Sequence, residues 1–111
     1  MEGRFFLKHS GKFDFIKVVE IIVITSIGNY CKIISLKNSN IIVRKTLTRF
    51  ENILPESHFL RINRSTIINL DYITKITQWS SGRFRIHIKD LTEPLIISQR
   101  YANKIKGELM P

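Results

Sequence analysis

Seven consecutive residues, Ile21-Ile-Val-Ile-Thr-Ser-Ile27, form a near-continuous apolar, β-branched run. A surface strand alternates apolar and polar residues, whereas a run of this kind predicts a strand buried on both faces. The chain around it divides into similar short pieces. Arg4–His9 and Phe13–Val18 read as a hairpin across Ser10-Gly11-Lys12, where glycine supplies the positive φ that such turns require. Gly28-Asn29 turns the chain after the apolar run. Tyr30–Lys37 and Asn40–Arg44 then pair around Asn38-Ser39. The period changes at Thr46–Leu54, where Leu47, Phe50 and Leu54 share one helical face. Thr48 and Glu51 have capping-box spacing, and Pro55 ends the helix. Strands are expected at about residues 59–62, 66–69, 73–79 and 83–89, the last two joined by Ser80-Ser81-Gly82. Leu95–Ser98 adds a short strand, and Tyr101, Ile105 and Leu109 mark a closing helix with Ser98 as its cap. The expected fold is mainly β: about ten short, mostly antiparallel strands in small packed sheets, with two short helices. At 111 residues the chain is one domain, 1–111, able to bury roughly 65% of its unfolded surface without staples. It reads as a domain excised from a longer chain, with a free-standing domain as the alternative.

Charge narrows the function. The chain holds 18 Lys and Arg against 9 Asp and Glu, a net charge of +9. The excess is dispersed, which suits a folded domain with a basic face better than a disordered arm. A basic membrane binder would concentrate its charge on one amphipathic helix. No apolar run approaches the roughly 18 residues of a membrane span, and Lys8 and His9 soon interrupt Phe5-Phe6-Leu7, so no signal peptide is expected. The one cysteine, Cys31, has no internal partner and favours a reducing compartment. A cytoplasmic location is expected.

The densest polar insertion among apolar residues is Phe59-Leu-Arg-Ile-Asn-Arg-Ser-Thr-Ile-Ile-Asn69. Arg64 and Ser65 fall where the strand pattern breaks, so the turn presents a fork of donors and a hydroxyl. A guanidinium suits phosphates and guanine edges. Tyr30, after the Gly28-Asn29 turn, offers a ring and a hydroxyl. Arg100 opens the last helix, whose amides also favour a phosphate. On the 83–89 strand, Arg83, Arg85, His87 and Lys89 share a polar face that suits either a phosphate backbone or solvent. Catalysis finds no support. His9, His58 and His87 lack metal-ligand spacing with one another or with Cys31. No carboxylate pair is placed for acid–base work, and no nucleophile elbow or phosphate-binding glycine loop occurs. No catalytic residue, metal or cofactor is assigned.

Residues 22–30, 45–55 and 59–70, followed by Ile97-Ser-Gln-Arg-Tyr101, carry a family likeness in their order and separation. The chain resembles the LytTR DNA-binding domains of bacterial response regulators over residues 4–109. That pattern runs from an apolar strand through a Gly-Asn-Tyr-like turn and Thr-Leu…Leu-Pro. It continues with Phe-x-Arg-x-His-Arg-Ser-x-x-Val-Asn and ends in Ser-x-Arg-Tyr. Asn63 departs from the usual His, and Gln99 stands where a second Arg is frequent. The resemblance implies that Tyr30, Arg64 and Arg100 touch bases from loops, in successive grooves on one side of a duplex. It leaves Asn29, Lys32, Arg61, Asn63, Ser65, Ser98 and Gln99 to backbone contact or support. It further implies direct-repeat sites on double-stranded DNA, two domains paired on each element, and a receiver or sensor domain elsewhere in a two-component regulator.

Two other functions compete. A single-stranded nucleic-acid binder needs two or more exposed aromatics on one sheet face. Phe5, Phe6, Phe13, Phe15, Phe50, Phe59 and Phe84 all read as core here, with Trp79 as core or hairpin packing, which counts against it. A protein-interaction module would use a free sheet edge and show little salt dependence.

Overall fold

A five-stranded antiparallel sheet divides the interior of the protein into two cores. The computed structural model describes residues 3–9, 11–37, 41–80 and 83–109, with the side chains at 9, 79, 80 and 105–109 outside the description. Ten strands and two helices follow in order: β1 (Arg4–His9), β2 (Lys12–Lys17), β3 (Ile21–Ile27), β4 (Tyr30–Ser35), β5 (Ile41–Val43), α1 (Leu47–Ile53), β6 (Phe59–Asn63), β7 (Thr66–Asn69), β8 (Ile73–Ser80), β9 (Arg83–Ile88), β10 (Leu95–Ile97) and α2 (Gln99–Leu109). Single 3₁₀ turns at Val18–Glu20 and Leu70–Tyr72 lead into β3 and β8. The three sheets are β1-β2, β5-β4-β3-β7-β6 and β10-β9-β8, all antiparallel.

The apolar run is the middle strand of the large sheet. Ile21 and Ile24 join a core with Leu7 and Ile16 of the hairpin and Leu47, Phe50 and Leu54 of the first helix. Ile22 and Val23 join a second core with Ile86 and Ile88 of β9, Ile97 of β10 and Ala102 of α2. Burial on both faces thus holds through Ile24, while Ile27 emerges at the strand end. Burying side chains of this size contributes about 1.5–3 kcal/mol each, so the strand is anchored from both sides.

Three expectations are corrected. Thr48 does not cap α1. Thr46 does, accepting from the Arg49 amide at 3.2 Å, and frees Thr48 and Glu51 for another use. Val18 belongs to a 3₁₀ turn and not to β2. Phe6, Phe13 and Phe15 are 66%, 68% and 45% exposed. Phe50, Phe59 and Phe84 are buried, and Phe5 is half-buried against the first core. The register explains the inversion: Phe5 lies opposite Ile16 and Leu7 opposite Asp14, so the Leu7–Ile16 side packs inward and the phenylalanine-rich side faces out. The expected turns at Asn38-Ser39 and Ser81-Gly82, and the side chains of Trp79, Ile105 and Leu109, lie outside the described residues.

Candidate nucleic-acid interface

The turn between β6 and β7 is built around one guanidinium. Arg61 is only 15% exposed at its side chain, and it donates in four directions. Its Nε reaches the Asn63 carbonyl at 3.3 Å and one terminal nitrogen reaches the Arg64 carbonyl at 2.6 Å. The other terminal nitrogen donates to Thr48 Oγ1 and Glu51 Oε1, both at 3.2 Å. The two residues that sequence spacing offered as a capping box are therefore the far end of a brace from α1 to the turn. A planar fork suits this role because its donors diverge at fixed angles.

Asn63 closes the turn from inside. Its Oδ1 accepts from the Ser65 amide at 2.9 Å and the Ser65 hydroxyl at 3.1 Å, while its Nδ2 donates to the Ile96 carbonyl at 3.1 Å. Asn side chains favour this local geometry because the carboxamide mimics a backbone turn. The Ser65 carbonyl accepts from Ser26 on β3 at 2.8 Å. With its backbone held from several sides, the turn projects an exposed Arg64 side chain. Asn69, which ends the motif, is structural: fully buried, it donates to the Ile21 carbonyl at 2.8 Å and accepts from the Asp71 amide at 3.0 Å.

The β3–β4 turn lies at the same end of the sheet, since Thr25 pairs with both Thr66 and Lys32. Gly28 takes a φ of 58°, the left-handed region that glycine enters at little cost. Asn29 and Tyr30 are exposed there, Tyr30 at 46%. Between the two turns and the start of α1 opens a cleft of about 930 Å³. Asn29, Tyr30, Arg44, Lys45, Arg49, Arg61 and Arg64 line it together with Ser, Thr and apolar groups, and no carboxylate among the described residues does. Cys31 lies at its base, fully buried; burial raises the thiol pKa, and the Arg61 charge opposes that rise.

The remaining sequence candidates occupy different places. Ser98 donates its amide to the Ile62 carbonyl at 3.0 Å, which seats the start of α2 beside the end of β6. Arg100 is therefore carried to the Arg64 end of the fold, although it does not line the cleft. Its guanidinium lies 5.7 Å from the centre of the Tyr101 ring, and Gln99 beside it is exposed. Lys32 alternates with the buried Cys31 and Ile33, so it points to the opposite face of the sheet from the cleft. On β9, Phe84, Ile86 and Ile88 point into the second core as expected. Sequence reasoning passed over Arg44, Lys45 and Arg49; the available signal was a basic cluster directly before and within a helix that packs beside both turns.

The family model for the LytTr DNA-binding domain matches residues 11–110. The chain belongs to the LytTR family. A LytTr DNA-binding domain of a putative methyl-accepting/DNA response regulator from Bacillus cereus superposes with a TM-score of 0.86 over 100% of both chains at 20% identity, a likeness of fold. The sensory transduction protein LytT of Oceanobacillus iheyensis is 36% identical over 77 residues, which are 69% of this chain and 31% of that protein. LytT of Bacillus subtilis is 34% identical over 64 residues, 58% of this chain and 26% of that protein. The transcriptional regulatory protein YpdB of Escherichia coli K12 is 30% identical over 63 residues, 57% of this chain and 26% of that protein. The LytTR chain thus spans between a quarter and a third of these relatives.

Proposed function

We propose that this LytTR domain reads specific sequences in double-stranded DNA with its turns, as the DNA-binding part of a bacterial transcription regulator. The observation that carries the reading is the cleft between the two turns, lined by Arg44, Lys45, Arg49 and Arg64 with no carboxylate among the described residues, and by Arg61, whose charge is paired with Glu51. Cations gathered there draw in phosphates and release counterions, which supplies most of the affinity. Tyr30 and Arg64 then reach base edges from neighbouring turns, and Arg100 contacts a further groove from the start of α2. Asn29 and Ser65 support the turns, and Ser98 and Gln99 lie beside Arg100. Arg61 and Asn63 hold the shape of the Arg64 turn and do not meet the bases. Two domains pair on direct repeats, and a receiver or sensor domain in the full-length regulator controls that pairing.

Selection of bound duplexes from a random pool, with heparin as competitor, tests the specificity. The selected duplex then tests the electrostatics. With about six phosphates contacted, affinity falls roughly a thousandfold between about 50 and 200 mM salt. A flat salt response, or a pool that never converges, overturns the proposal.

A further inference from the structure

The outer face of the β1–β2 hairpin has no cover among the described residues, and its composition is unusual for a solvated surface. Cross-strand register places Arg4 opposite Lys17, Phe6 opposite Phe15 and Lys8 opposite Phe13. All six side chains are exposed. Phe6 and Phe15 meet edge to face at 4.9 Å between ring centres, and the Arg4 guanidinium lies 5.0 Å from the Phe15 centroid. A contiguous exposed apolar patch rimmed by charged residues marks an interaction surface. The inward side of the same hairpin, Leu7 and Ile16, already supplies its attachment to the first core. The outer phenylalanines are therefore not needed to hold the hairpin down.

We propose that this face binds single-stranded DNA, with bases stacked on Phe6, Phe13 and Phe15 and phosphates paired with Arg4, Lys8 and Lys17. Rungs along a strand repeat at about 6.6–6.8 Å, and each rung here carries a cation, a ring or both. A single strand supplies the matching alternation, a π-face and an anion at every step, and ring-plus-cation surfaces grip it without regard to sequence. A duplex does not, because its base faces are already stacked. A second copy would set three cations against three. An anionic bilayer would draw cations seated between the rings toward hydrocarbon along with them. The hairpin also lies beside β5, and the residues that follow β5, Arg44 and Lys45, line the basic cleft.

Fluorescence anisotropy of labelled (dT)20 and of the selected duplex, on the same protein preparations, tests the assignment. Each of Phe6→Ala, Phe13→Ala and Phe15→Ala weakens (dT)20 about fivefold or more and leaves the duplex and the melting temperature near the parent values. Replacing Arg4, Lys8 and Lys17 together by Gln lowers the steepness of the logarithmic salt dependence for (dT)20 by about 2. Arg64→Ala does the reverse, losing duplex selectivity and keeping (dT)20. If the phenylalanine variants hold (dT)20 as tightly as the parent, the proposal fails. It fails equally if Arg64→Ala releases (dT)20, since the strand then lies in the cleft. Binding to phosphatidylglycerol vesicles without binding to (dT)20, or a dimer that the phenylalanine variants dissolve, assigns the face to another partner and overturns it. Failure of the duplex reading shows separately, as a flat salt response on the duplex probe.

Discussion

The β3–β4 and β6–β7 turns sit side by side at one end of one sheet, yet they are held by different means. Gly28-Asn29 is a short connection whose geometry comes from a single left-handed glycine. Asn63–Ser65 is braced by Arg61 of β6, itself tied to Thr48 and Glu51 of α1, by Asn63 from within and by Ser26 from β3. A turn made by backbone preference needs no distant residue. A turn made by side-chain bracing depends on the helix and strands that carry its partners. The second arrangement lets a sharp bend carry a large charged side chain at a fixed position without a glycine.

The largest effect expected in breaking that contrast comes from α1. Phe50 is fully buried, and Phe50→Ala costs about 3–5 kcal/mol in urea or thermal unfolding. Because α1 also carries Thr48 and Glu51, the variant loosens the β6–β7 turn and spares the local geometry of Gly28-Asn29. A melting temperature within a degree or two of the parent removes the core assignment. Arg61→Ala comes next, at about 2–3 kcal/mol, because several hydrogen bonds to a charged group are lost and Glu51 is left without its partner. Hydrogen exchange is the sharper readout: the Ser65 amide exchanges faster, while amides at residues 28–30 do not change. Arg61→Lys recovers little, since an ammonium cannot span the four acceptors. Full rescue by lysine makes the brace a matter of charge alone.

Arg64→Ala leaves stability near the parent and costs about 1–3 kcal/mol on the preferred duplex, with relaxed selectivity at the bases it reads. Lys32→Ala, on the other face of the sheet, weakens preferred and scrambled duplexes equally or has no effect. Competition binding at one salt concentration decides between them: equal losses on both duplexes for Arg64→Ala reduce it to a phosphate grip. The smallest effect belongs to the glycine turn. An added Cβ at Gly28 meets nothing within 4 Å, so Gly28→Ala costs only the left-handed backbone, about 1 kcal/mol by chemical denaturation. A much larger loss means that the turn is held by more than its backbone. Cys31, three residues on, reports on pH. Burial raises its folded thiol pKa, so the unfolded chain ionises first and stability falls as pH rises through the ordinary thiol range. A Cys31→Ala variant with the same alkaline stability profile removes that contribution.

Much of the fold was legible in local pattern. Strand alternation, the helical spacing of Leu47, Phe50 and Leu54, and Pro55 after the helix each depend on neighbours a few residues away. The apolar run at 21–27 announced a strand with cover on both sides. The outward face of the hairpin was not legible. On β2, alternation separates Phe13, Phe15 and Lys17 from Asp14 and Ile16, and hydrophobicity alone favours the phenylalanine side for the core. Only the register with β1 reverses that choice. The brace was hidden for a similar reason. Thr48 and Glu51 are 13 and 10 residues from Arg61, and their spacing from each other also satisfies a local capping rule. Arg64 was visible as a break in pattern, whereas Arg44, Lys45 and Arg49 acquire meaning only when α1 docks beside the turns.

Arg61 grips the carbonyls of Asn63 and Arg64, atoms common to every amino acid. Position 64 is consequently a socket: its occupant can be exchanged while the mounting stays the same. On the proposed reading, in which residue 64 meets the bases, retargeting the domain to a new operator is a change of one fitting, with the helix, the bend and both cores retained. A library randomised only at residue 64 would explore new binding preferences without passing through misfolded intermediates.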